Sequence, residues 1–252
     1  MASHAVDVQS LVVEYSGTRV LDGVTCSIDA QNVTCIVGTS GCGKTTLLKT
    51  ILQLVPAASG SIELLGEDVI EREPEERAEL LLQVGVLFQN GALLNSLTVA
   101  ENIALPLRLH TDLPDEVIAR VVREKLEIVN LPGAQNLLPP ELSGGMKKRA
   151  ALARAIVLDP RVVFFDEPSA GLDPVSSARL DMLMLSLKKH LRMTLVVVTH
   201  KLSSIFTVAD KIVFLDEGHV VFDGTLKAAR ASDIEVVAHF FDPFEERATE
   251  FS

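Results

Sequence analysis

At 252 residues, with 48% hydrophobic and 23% charged residues, the chain is long enough for one large globular domain or two small ones, with ample material for a core. A net charge of −11 and a pI near 5.0 argue against a nucleic-acid partner held by phosphate neutralisation. Three cysteines, Cys26, Cys35 and Cys42, lack metal-ligand spacing and leave an odd count, which suits a reducing compartment better than a disulfide framework.

No basic-then-apolar leader opens the sequence, and no apolar run approaches the length of a bilayer crossing. A soluble or peripheral protein is therefore expected, with any membrane span supplied by other chains. Residues 6–28 alternate and turn like antiparallel strands, predicted at 8–15 and 19–28, with Ser16-Gly17 and Asp22-Gly23 as turn signals. Tyr15, the only tyrosine, closes the first strand. Its ring is either a stacking surface for a nucleobase or an ordinary β-favouring aromatic, and its position alone favours the second.

A short apolar run at 33–37 leads into Gly38-Thr39-Ser40-Gly41-Cys42-Gly43-Lys44-Thr45-Thr46, and 47–52 has helical spacing. Strand, glycine-rich turn and helix form the context a phosphate-binding loop requires. The glycines let successive N–H groups face one concavity, and the helix behind adds the positive end of its dipole. Lys44 adds a full charge, and the Thr45 hydroxyl suits Mg²⁺, a hard cation that prefers oxygen. The expected ligand is a nucleotide triphosphate; the alternative is a glycine-rich turn that merely caps a helix.

After the loop helix, Ala57-Ala58-Ser59-Gly60 marks a turn and 61–65 a short strand. Residues 67–79 are acidic around Pro74, a solvated loop and helix face; 80–88 turn apolar again and end at Gln89. Residues 90–106 mix turn residues with Leu93, Leu94, Leu97, Val99, Ile103 and Leu105, either core or a partly exposed docking surface for a partner helix. A helical stripe at 116–129 is broken by Pro132-Gly133, and Pro139-Pro140 forces an extended approach to a helix at about 143–158. Residues 161–166 are nearly all apolar, as in a parallel strand buried on both faces. A helix at 174–190, a second buried strand at 194–199 and a short helix at 201–208 follow, then strands at 211–215 and 219–222 around Gly218. The last helix carries Val236, Val237, Phe240 and Phe241 on one side until Pro243 stops it, and it is expected to pack on its own domain. No repeat, low-complexity segment or flexible linker interrupts the chain.

A second glycine pair stands at Leu142-Ser143-Gly144-Gly145-Met146-Lys147-Lys148-Arg149, again at a helix start. Its amides suit a second anion, although a Ser-Gly-Gly start is also a common plain cap. The run Val162-Val163-Phe164-Phe165 ends in Asp166-Glu167, two carboxylates that are expensive beside a buried strand unless cations or donors meet them. Asp166 is placed for a Mg²⁺ shell, and Glu167 can orient and polarise a water for attack on a γ-phosphate. Gly171-Leu172-Asp173-Pro174 forms a tight turn, and His200 ends the next buried strand, where a lone histidine is more often structural.

In this order, the phosphate loop, Gln89, Leu142-Ser143-Gly144-Gly145, an apolar run before Asp166-Glu167, Gly171-Leu172-Asp173 and His200 resemble the ATP-binding cassette (ABC) ATPases over nearly the whole chain. That resemblance implies an α/β P-loop NTPase fold with a mixed, largely parallel sheet core, an N-terminal antiparallel β subdomain, and a helical subdomain at about 90–158 inserted in a RecA-like core, all within a single domain over 1–252. It implies that Tyr15 stacks on adenine and that residues 38–46 hold the phosphates and Mg²⁺. Gln89 would sense the γ-phosphate and touch the metal, Asp166 support the metal, Glu167 act as catalytic base, and His200 contact the γ-phosphate. Ser143, Gly144 and Gly145 would close on ATP from the opposite protomer of a homodimer, with Asp173 near the seam. One nucleotide fills one phosphate-cradling helix end, so a second such end on the same chain has an anion only if two chains share theirs.

Among ABC proteins, SMC-like ATPases separate their nucleotide motifs by a long coiled coil, and translation-factor members carry two cassettes per chain. Here Lys44 and Asp166 share one compact chain, which leaves a transporter motor with separate permease subunits. Phe88-Gln89-Asn90-Gly91-Ala92-Leu93-Leu94, Leu105-Pro106-Leu107-Arg108-Leu109-His110-Thr111, the stretch 142–155 and the apolar end at 236–241 are similar to the Mla-type ATPases, which serve Mce-protein lipid transport at the bacterial inner membrane. Leu172 departs from some of these, which carry another middle residue. The resemblance implies ATP and Mg²⁺ as ligands, phospholipid as cargo, an Mce-domain partner and a peripheral position on the cytoplasmic face. Alternatives are a motor for amino acids, ions or lipoproteins, or a soluble switch that uses ATP dimerisation without transport. Cys42 is a variable loop position whose thiol would be oxidation-sensitive if the loop dipole stabilises its thiolate.

Overall fold

The computed structural model describes residues 4–242 and opens on a long hairpin, β1 (His4–Tyr15) and β2 (Thr18–Asp29), turned at Ser16-Gly17. Every apolar residue of β1 on its inward face, Val6, Val8, Leu11 and Val13, is buried. Asp22-Gly23 is not a turn. It lies inside β2, where the register to β1 shifts between Leu11↔Val24 and Val13↔Leu21, and Gly23 at φ 70 absorbs the irregularity as a bulge. Strands β4 (Ser59–Leu64) and β5 (Glu67–Asp68) complete a four-stranded antiparallel sheet in the order β2-β1-β4-β5.

The chain forms two compact units. One comprises residues up to 77 and from 196 on, the other residues 78–195. In the first, β3 (Val33–Gly38) is buried at every position and pairs in parallel with β9 (Lys211–Asp216), from Thr34↔Lys211 to Gly38↔Leu215. Such a strand cannot show alternation, because both its faces are core. Strand β10 (His219–Thr225) returns antiparallel to β9. Helix α1 (Lys44–Ile51) buries Leu47, Leu48 and Ile51 directly behind β3 in the chain. The short helices α7 (Leu202–Val208) and α8 (Leu226–Arg230) follow, the latter unforeseen because five residues carry no periodic signal.

The final described helix, α9 (Glu235–Phe241), packs on its own unit as expected: Phe240 meets Phe214 of β9 edge-on at 5.3 Å, and Phe241 lies 6.0 Å from Phe206 of α7. Pro243, expected to stop it, lies outside the described residues. Cys26, Cys35 and Cys42 are buried and form no disulfide among the described residues, and burial pushes the Cys26 thiol up to about 12.

In the second unit, reached through α2 (Pro74–Leu81), the strands β6 (Val84–Leu87) and β7 (Val162–Asp166) pair in parallel. Between them run α3 (Val99–His110), α4 (Asp115–Ile128), a 3₁₀ turn (Pro139–Glu141) and α5 (Gly144–Ala155). The mixed signals at 90–106 resolve by position. Thr98 and Glu101 form a reciprocal cap that starts α3, and Val99, Ile103 and Leu107 are core. Pro106 lies inside that helix, so burial of the stripe outweighs a proline cost of about 3 kcal/mol. Leu94, by contrast, is 46% exposed. Helix α6 (Pro174–Leu191) ends at Arg192 in the left-handed region, and β8 (Thr194–Val198) carries the chain back into the first unit.

Candidate functional site

The glycine-rich loop leaves β3 through Gly38, whose φ of 142 and surroundings admit no side chain: a Cβ there would stand 1.9 Å from the Leu215 carbonyl oxygen. At the other end Gly43, at φ 104, caps α1, and a Cβ would sit 2.5 Å from Leu21 Cδ2. Two backbone positions closed to other residues thus shape the loop between them. Lys44 folds back over it, its Nζ donating to the carbonyls of Thr39 at 2.7 Å and Gly38 at 3.1 Å and lying 3.6 Å from Cys42 Sγ. A cation thus stands over the turn at the start of a helix, a geometry made for an anion. Cys42 is buried, so an oxidant has little access to it.

Gly38→Ala is expected to lower stability by about 3 kcal/mol or more, since the new Cβ meets the Leu215 backbone carbonyl and neither atom can turn away. Thermal unfolding of the purified variant checks this, and an unchanged midpoint would refute the packing argument.

A further anchor is barely signalled in the sequence. Thr39 Oγ1 donates to Asp216 Oδ1 at 2.9 Å, tying the loop to the end of β9. The only available signal was an acid at a strand end. Tyr15 stands at the end of β1 opposite Thr18, 44% exposed, and His200 is exposed just beyond β8. Thr45 and Thr46 lie in the first turn of α1, and Ser40 and Gly41 are exposed in the loop.

The second unit gathers the other residues. Asp166 ends the fully buried β7, 7% exposed, and Glu167 follows at φ 45, a left-handed conformation that a glutamate rarely adopts. Such strain, of order 1–3 kcal/mol, persists only where the surroundings impose it and concentrates at working sites. Lys148, buried on α5, donates its ammonium to the Gln89 carbonyl. Burial pushes that ammonium below the usual lysine range, while the Asp166 and Glu167 charges pull it back up. Gln89 itself is exposed just beyond β6. Lys148 was not singled out in the sequence, because a lysine on a polar helix start reads as solvated.

Ser143 caps α5, its Oγ accepting from Met146 N at 3.3 Å. Gly144 and Gly145 approach the turn that starts α6: a Cβ on Gly145 would lie 3.4 Å from Ser176 Oγ, and one on Gly144 3.6 Å from Leu172. Asp173 caps α6 by accepting from the Val175 and Ser176 amides at 3.0 Å, and hydrogen bonding from Ser176 holds its carboxyl below the usual range. The glycine pair and the Asp173 turn are therefore neighbours, a proximity no sequence spacing could reveal.

Residues 21–170 match the ABC transporter family model. The chain is 40% identical over 238 residues to the probable ribonucleotide transport ATP-binding protein mkl of Mycobacterium leprae, covering 94% of this chain and 69% of that protein. The mkl protein of Mycobacterium bovis is 39% identical, with 66% of its length covered, so the chain spans about two thirds of these relatives. It is 37% identical to the intermembrane phospholipid transport system ATP-binding protein MlaF of Haemophilus influenzae, with 94% of this chain and 90% of that one covered. Among solved structures, cbiO1 of Clostridium perfringens, part of the cbiONQ ABC transporter complex, aligns with a TM-score of 0.84 at 26% identity over 99% of both chains. A dimeric, ADP- and Pi-bound post-hydrolysis state of the ATP-binding cassette MJ0796 aligns with a TM-score of 0.80 at 27% identity, over 88% of this chain and 98% of that one.

Proposed function

Because the chain belongs to the ABC transporter family, we propose that it is the ATP-hydrolysing motor of an ABC transporter, closing as a homodimer on ATP to drive separate permease subunits. The observation that carries the reading is the phosphate loop, closed to side chains at Gly38 and Gly43 and covered by Lys44. Its amides and ammonium suit the β- and γ-phosphates, and Tyr15 offers an exposed ring for the adenine.

Thr45, Gln89 and Asp166 offer hydroxyl, amide and carboxylate oxygens, the hard donors that Mg²⁺ prefers, and the ion would neutralise phosphate charge there. Glu167 takes the proton of the attacking water, and His200 and Gln89 hold the γ-phosphate region. Ser143, Gly144 and Gly145, beside the Asp173 turn, present their amides to the nucleotide of the other protomer. Loss of the γ-phosphate removes what joins the halves and releases them. Residues 90–158 serve as the helical subdomain of a single domain.

The cargo we propose is phospholipid, with an Mce-domain protein in the complex at the cytoplasmic face of a bacterial inner membrane. The relatives' names divide, one naming ribonucleotides and the other phospholipids, and the chain spans far more of the phospholipid-named relative. Among the described residues no helix is long and apolar enough to cross a membrane. Vesicle transport assays with labelled phospholipid and labelled ribonucleotide separate the two cargoes.

The docking surface we assign is the segment holding Leu93, Leu94 and Leu97, displayed ahead of α3. Asn102 fixes it from behind, its amide bonding the Leu94 and Leu97 carbonyls at 3.0 Å and its oxygen the Leu94 amide at 2.8 Å. Polar replacement of these three leucines is expected to weaken permease binding ~10-fold or more, as loss of a small apolar hot spot does, while ATP-dependent dimerisation is kept. Gel filtration of the reconstituted complex checks this, and a retained complex refutes the surface.

A further inference from the structure

The segment that joins Gln89 to the leucine surface is held in an unusual way. Gly91 and Ala92 both lie in the left-handed region, at φ 72 and 51, the second a strained conformation for alanine. Three of the four carbonyls of residues 89–92 are taken by cations of one helix. Lys148 of α5 receives Gln89, and Arg154 of α5 receives Gly91 at 3.0 Å and Ala92 at 2.8 Å. Between the two cations Ala151 faces Gly91 so closely that a Cβ on the glycine would stand 3.3 Å from the alanine Cβ. Lys148, Ala151 and Arg154 follow at intervals of three, one stripe of the helix. Lys148 is 7% exposed, so its bond is sheltered from water.

We propose that Lys148 and Arg154 are positioning residues that strap segment 89–92 onto α5, so that movement at the Ser143-Gly144-Gly145 end of that helix is carried to Gln89 and the Leu94 surface. The helix supplies stiffness, the two cations supply attachment at both ends of the segment, and Gly91 supplies close contact in the middle. Without the strap, the left-handed pair at 91–92 keeps the Gly91 amide's bond to the Phe88 carbonyl but loses its ties to α5, and the segment relaxes independently of that helix. What the two ends do rests on the functional reading above; the strap itself does not.

Amide hydrogen exchange on the full chain, without nucleotide, tests the strap directly. In Lys148→Met and Arg154→Met, exchange at residues 90–97 is expected to rise ~10-fold or more, the effect of losing a hydrogen bond to a charged donor, with the phosphate loop unaffected. Lys148→Gln and Arg154→Lys, which keep a donor, should recover most of the protection and serve if the methionine variants fold poorly. In steady-state hydrolysis Arg154→Met should lower permease-stimulated kcat several-fold with KM for ATP unmoved, and Arg154→Lys should restore it. Unchanged exchange at 90–97 in folded variants overturns the strap. Raised exchange with normal stimulated kcat overturns the transmission. An unsubstituted chain that hydrolyses no ATP overturns the functional reading and leaves the exchange result standing.

Discussion

Glu167→Gln is expected to cut ATP turnover by about 10²–10⁴-fold, the range a positioned general base contributes, while ATP binding survives and the dimer accumulates. Glutamine keeps the length and hydrogen-bonding plane of the side chain but cannot accept a proton. The backbone that aims the group is set independently of the carboxyl: β7 is buried throughout and the residue sits at φ 45, with Ala170 N donating to its carbonyl at 3.1 Å. Substitution should therefore leave the geometry intact and remove one chemical step. With hydrolysis blocked, the γ-phosphate stays in place and so does the link between two copies. Phosphate release gives the rate, and light scattering with excess Mg-ATP gives the mass. Undiminished turnover would remove Glu167 from the base role; a monomer under saturating nucleotide would remove the shared-nucleotide dimer.

Much of this architecture was legible because its strongest signals are local. The largely apolar run at 33–37, the all-apolar run at 162–165, the glycine loop between strand and helix, and the proline after Asp173 each state their structure within a few residues. What was hidden depends on distant partners. Asp22-Gly23 reads as a turn until its partner strand turns it into a bulge. Pro106 ends a stretch of mixed turn and apolar signals, and only the buried stripe of α3 carries the helix through it. In the candidate site, residue types were readable but attachments were not: Thr39 to Asp216, Lys148 to Gln89, and Gly145 against Ser176 join positions far apart in sequence. Glu167 stands out in the sequence as a carboxylate beside Asp166, whereas its left-handed backbone carries no sequence signature.

Removing the loop cation acts on binding rather than on chemistry. Lys44→Ala is expected to weaken ATP binding by roughly 10- to 100-fold, the 1.5–3 kcal/mol of a hydrogen bond involving a charged group. Two effects run together in that loss. The ammonium is the only full positive charge in the stretch 38–46, and it also braces the turn through the carbonyls of Gly38 and Thr39. Lys44→Arg separates them. It keeps the charge, but a planar guanidinium must fit where a compact ammonium lies among two carbonyls and the Cys42 sulfur, so it should recover only part of the affinity. Because the loop is shaped chiefly by Gly38 and Gly43, neither variant should shift the unfolding midpoint as Gly38→Ala does. Titration with labelled ATP reads the affinity, and thermal unfolding reads the scaffold. Unaltered affinity in Lys44→Ala would mean that this loop does not hold the triphosphate.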